Sequence, residues 1–113
     1  MIPNDAKDII KTELISVIYT LEESIIALQG SLVNVGDVTL TDRVAGYLKI
    51  IEKQKNLYYE LEELLAQDAD SDAVWRHSAL IMQLCYLVKD DAALLAIELS
   101  TGEAPKIPEN LLN

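Results

Sequence analysis

Residues 71–100 read SDAVWRHSALIMQLCYLVKDDAALLAIELS, and the placement of their apolar residues decides the fold. Val74, Ile81, Leu84, Cys85, Val88, Ala92, Leu95 and Leu99 fall on one side of an α-helix. Leu80, Leu87 and Leu94, spaced by seven, form a second stripe, roughly 110° or more around the same helix. Trp75, Met82, Tyr86, Ala93 and Ile97 carry the apolar surface onto the flank, and from Trp75 to Lys89 the polar residues are only Arg76, His77, Ser78, Gln83 and Lys89. A helix apolar around so much of its circumference is either enclosed by neighbours or pressed against another chain. Two helices cannot surround a third. The pattern therefore predicts self-association through this helix, with Trp75, Leu80, Tyr86, Leu87 and Leu94 in the interface; two-fold dimers are the commonest closed assembly.

Two further helices precede it. Leu14, Ile18, Leu21, Ile25 and Leu28 recur at intervals of four and three, one amphipathic seam, with Asn4 as the expected N-cap and Gly30 as the expected stop. The linker SLVNVGDVTL is β-branched and contains Gly36, which reads as a loop. Thr39 with Asp42 three residues on reads as the capping signal for the next helix. That helix has its best seam at Tyr47, Ile50, Gln54, Leu57, Leu61 and Leu64, with Val44, Leu48, Ile51, Tyr58 and Leu65 beside it and Gln54 as the polar interruption. The connection Gln67 to Ser71 is short and polar, as between antiparallel helical neighbours, and Asp70 or Ser71 is the expected cap of the third helix.

These signals predict an all-α, elongated antiparallel three-helix bundle with helices over about 5–29, 40–66 and 71–100. Each helix would be about 38 to 45 Å long. A bundle domain over 1–102 is followed by a tail over 103–113, where two prolines forbid helix continuation and Leu111 and Leu112 are candidates for docking.

Composition narrows the function. The chain has 113 residues, half of them hydrophobic, with no Phe and a single Cys, so it is long enough to bury one core without a disulfide or structural metal. Nineteen acidic against nine basic side chains give a net charge of −10, and Glu52 interrupts the densest cationic group, Lys49, Lys53 and Lys55. That balance repels a phosphate backbone and favours a basic protein partner over nucleic acid. The N-terminal MIPNDAKD has no signal-peptide character and the apolar runs are short. No membrane span is expected, and a cytoplasmic location is.

Candidate chemical groups are few. His77 and Cys85 stand eight residues apart, about 12 Å along one helix, too far to share a metal or act as a nucleophilic pair. They read as a structural histidine without a carboxylate on its own helix to orient it and a small core hydrophobe. The run DADSD places Asp68, Asp70 and Asp72 like the first half of an EF-hand loop, but Ala73 and Ala79 stand where such a loop needs Gly and Glu. Helix capping explains these aspartates, and Asp72 and Arg76 are spaced for an i,i+4 pair. Tyr58 and Tyr59 combine apolar area with a polar tip and are candidates for contact with a partner.

In YELEEL, Glu60 and Glu63 stand three apart. This resembles the Glu-x-x-Glu half of the Mg²⁺ site of all-α nucleotide pyrophosphohydrolases of the MazG type, which carry a second acidic pair on the following helix. The resemblance covers four residues and implies a Mg²⁺-dependent nucleotide hydrolase using Glu60 and Glu63, with Arg76 and Lys89 available for phosphates. Asp90, Asp91 and Glu98 do not supply the second pair at the required spacing. No phosphate loop or nucleophile motif occurs, so the leading expectation is a non-enzymatic, homodimeric protein-binding module of the chaperone, inhibitor, immunity or regulatory kind that needs no cofactor.

Overall fold

A computed structural model describes residues 2–101. Three helices follow one another, α1 over Asn4–Ser31, α2 over Val38–Ala66 and α3 over Ser71–Thr101, with no strand among the described residues. The tail over 103–113, with Leu111 and Leu112, lies outside the described residues, as does Gly102.

Contacts between helices fix their directions. Lys7 at the start of α1 pairs with Asp68 just beyond α2, and Glu22 pairs with Lys55 in the middle of α2. Across the other interface Arg43 reaches Asp91 and Glu98, Gln54 reaches Ile81, and Glu60 reaches His77. As one residue number rises its partner's falls, so the bundle is antiparallel and α1 runs parallel to α3. The molecule measures 51 × 38 × 19 Å, about two helix diameters in its thinnest direction.

The core follows a heptad rule. Val44, Ile51, Tyr58 and Leu65 of α2 are buried at intervals of seven, with Tyr47, Gln54 and Leu61 buried between them. Val74, Ile81, Val88 and Leu95 of α3 repeat the interval, and Leu14, Ile18, Leu21 and Ile25 complete the core from α1. Alternating steps of three and four keep a seam facing its neighbours along four or more turns, the geometry of helices packed at shallow angles. The observed α2 seam is rotated from the expected one. Ile50, Leu57 and Leu64 are only partly buried, because two neighbours, α1 and α3, draw the buried centre towards Val44, Ile51 and Tyr58.

Helix ends differ from expectation by their caps. Asn4 lies inside α1, whose N-cap is Pro3 without a side-chain hydrogen bond. The helix also passes through Gly30, and it is buried Leu32 at the C-cap that turns the chain, its N–H donating to the Gln29 carbonyl while the Val33 N–H donates to that of Gly30. The left-handed position between α1 and α2 is Gly36, at φ +70, which glycine adopts without a Cβ penalty; between α2 and α3 it is Asp68, at φ +51. Asp37, rather than Thr39, caps α2, its carboxylate accepting from the Leu40 N–H at 3.2 Å; Thr41 bonds back to the Asp37 carbonyl. At α3 the expectation of Asp70 holds, its carboxylate accepting from the Asp72 N–H at 3.3 Å.

Gln54 is the polar defect of the seam. Its side chain is fully buried, Nε2 donates to the Ile81 carbonyl at 3.1 Å, and Oε1 has no partner. An unpaired buried acceptor costs about 1 to 3 kcal/mol, while a polar group at one seam position fixes helix register. Gln54→Leu is therefore expected to raise unfolding stability by about 1 kcal/mol, read from urea denaturation. A loss larger than that of Gln54→Ala would show that the amide is better satisfied than its contacts indicate.

Candidate interaction surfaces

The outward face of α3 carries the leucine stripe intact. Leu80, Leu87 and Leu94 are all exposed, Leu87 at 58 %, and steps of seven align them along about 21 Å of helix. Gln83 lies three residues beyond Leu80 and four before Leu87; Asp90 repeats this relation between Leu87 and Leu94. Polar residues thus border the stripe without dividing it. Leucine offers nothing but apolar area here, so the stripe is a contiguous apolar surface.

The other expected residues separate. Trp75, 62 % exposed, and Tyr86 stand on the opposite flank of α3, in line with Met82, since steps of seven and four return to one side of a helix. Tyr58 belongs to the core of α2 and offers no surface to another chain, whereas Tyr59 beside it is exposed and meets its ring edge-on at 5.9 Å. Cys85 is buried as expected, and burial pushes its thiol pKa up.

Beside the Trp75 flank, α1 and α3 part to leave an open groove of about 750 Å³. Ser16, Thr20, Ser24 and Ala27, at steps of four, four and three, line one wall, and Ala92, Ala93 and Ala96 line the upper part of the other. Side chains this short cannot span the gap between two helices, which is why the gap exists. The Ser24 and Ser31 hydroxyls donate to the carbonyls of Thr20 and Ala27 four residues back, which turns these oxygens towards their own helix. Leu21, Ile25 and Cys85 reach the floor from the core, with Tyr86 and Lys89 on the α3 wall. The groove is the principal feature that the sequence reading missed; the small-residue spacing in α1 was the available signal.

A polar cluster ties α2 to α3 at the far end. The Arg43 guanidinium donates to both Asp91 oxygens, at 3.1 and 3.2 Å, and approaches Glu98 at 3.5 Å. Arg43 Nε also donates to the Tyr47 hydroxyl at 3.0 Å, and that hydroxyl donates to Asp91. Hydrogen bonds from Arg43, then Tyr47, hold the Asp91 carboxyl below its usual pKa, while burial and then the Asp91 contact push Tyr47 up to about 12. A carboxylate with a depressed folded-state pKa contributes stability that is complete above its unfolded value, about 3.9. That contribution is lost as pH falls through the folded value. Stability should therefore fall on acidification below about pH 4, and Asp91→Asn, already less stable at neutral pH, should show a shallower fall in its urea midpoint over the same range.

Glu60 and Glu63 do not stand as a free pair. Glu60 meets His77 Nε2 at 2.8 Å, so a carboxylate from α2 orients the histidine for which α3 itself supplies none. Glu63 borders a shallow polar crevice with Lys7 and Lys11 of α1. Asp91 is engaged by Arg43 and Asp68 by Lys7, while Arg76 bonds to the Asp72 carbonyl rather than to its carboxylate. Among the described residues, no three His, Cys, Asp or Glu side chains are grouped to hold a metal ion, and no helix is long and apolar enough to cross a membrane. No family model matches the chain, and comparison with curated proteins and with solved structures gives no match.

Proposed function

We propose that the protein is a small acidic interaction module of the chaperone, inhibitor or regulatory kind, which acts as a homodimer joined through α3. The observation that carries the reading is the exposed leucine stripe. Leu80, Leu87 and Leu94 lie on a helix whose core face is already filled by Val74, Ile81, Val88 and Leu95. About half of the surface of these three leucines stays in water, a cost that a second copy removes. An antiparallel pairing of two α3 helices about a two-fold axis at Leu87 sets Leu80 of one chain against Leu94 of the other. The same pairing sets Arg76 against Glu98, whereas a parallel pairing would set Arg76 against itself. The lone buried thiol is compatible with a reducing compartment, and the module is assigned to the cytoplasm.

Sedimentation equilibrium tests the dimer. The chain has a mass of 12.6 kDa, and twice that mass is expected in the micromolar range. A single-chain mass at every concentration up to tens of micromolar overturns the reading.

A further inference from the structure

Taking the protein as an interaction module, we propose that the groove between α1 and α3 seats one amphipathic helix of a basic protein partner. The walls run from Ser16 to Ser31 on α1 and from Met82 to Ala96 on α3, about four turns of helix on each side. They belong to parallel helices of an up-down-up bundle, so the groove is the position that a fourth, antiparallel helix takes in a four-helix bundle. A helix brings its backbone hydrogen bonds with it, whereas an extended segment would bury unpaired N–H and C=O groups between walls that offer no strand edge. The alanines and back-bonded serines admit the larger side chains of the incoming apolar face, at steps of three and four.

Charge selects the occupant. The C-termini of α1 and α3 lie towards the same end of the groove, and neither helix carries a basic residue in its last turn, so within the two helices no side-chain cation offsets their negative dipole ends. No carboxylate lines the groove itself; helical spacing sets exposed Glu23, between Thr20 and Ala27, and exposed Asp90, between Tyr86 and Ala93, beside its two walls, and Glu13 one turn below Ser16. Against these, Lys89 is the one cation among the lining residues. A second copy of this chain, at net charge −10, meets repulsion at this rim that a lysine- and arginine-rich helix does not.

Cys85, on the groove floor, is a built-in reporter. Two synthetic peptides of about 15 residues share a leucine stripe and differ only in bearing lysine or glutamate on the remaining positions. Alkylation of Cys85 in the full chain is followed with each. The lysine peptide at ten times its Kd is expected to slow alkylation about tenfold, with the effect weakened by salt, and the glutamate peptide to leave the rate unchanged. Ala93→Tyr, at an exposed wall position, is expected to abolish the protection while circular dichroism stays that of the parent. Equal protection by both peptides, protection that survives in Ala93→Tyr, or no protection at all overturns the proposal. So does a peptide-free alkylation rate that falls as the concentration of the Leu87→Asp chain rises, because a second copy then covers the groove without using the leucine stripe. Failure of the α3 dimer is read separately, from the sedimented mass, and leaves the peptide result to stand or fall alone.

Discussion

Ile81→Ala is expected to lower the free energy of unfolding by about 3 kcal/mol, and Leu87→Ala, six residues along the same helix, by less than about 1 kcal/mol. Ile81 is fully buried at the middle of the α3 seam, where it shares the core with Ile51 and Leu61. The Gln54 amide holds the carbonyl of this same residue. Truncating it removes three carbons from water-free packing and leaves a cavity between helices that cannot close without shifting register. Leu87 loses comparable apolar area, but most of that area is in water in the single chain. Urea denaturation at low protein concentration, where association contributes little, separates the two. Equal losses at Ile81 and Leu87 would mean that the leucine stripe is part of the fold and not a spare surface.

The same contrast explains what the sequence made legible. Three helices, their order and the buried positions of α1 and α3 follow from apolar spacing, which is a local property. The rotation of the α2 seam does not, because Ile50 and Ile51 are equally apolar and only the positions of two neighbours decide which of them faces inward. Caps were misplaced by the same ambiguity. Thr39 and Asp37 both have cap chemistry, and the left-handed turn at Gly36 starts the helix early enough for Asp37 to be used. Long-range pairs such as Glu60 with His77 and Arg43 with Asp91 need the register of two helices, which spacing within one helix cannot provide. The groove is a property of what is small. Ser16, Thr20, Ser24 and Ala27 attract no notice in a search for apolar or reactive residues, yet their size lets α1 and α3 stand apart.

Leu87→Asp is expected to weaken the dimer by more than about 100-fold in Kd while leaving the helical signal and urea midpoint of the single chain close to the parent's. At a two-fold axis one substitution acts twice. Half-burial of a leucine contributes about 1 kcal/mol, so even Leu87→Ala, summed over both copies, should weaken association about 30-fold. Aspartate adds desolvation of two carboxylates and repulsion between them. Leu87→Lys should fail alone for the same reason, yet an equimolar mixture of the Asp and Lys chains should recover a two-chain mass, because only the mixed pair places opposite charges at the axis. Ala93→Tyr, on the groove side, should leave the sedimented mass unchanged. If it disrupts the dimer and Leu87→Asp does not, the two faces have exchanged roles: the groove joins the copies, and the leucine stripe is left for the partner.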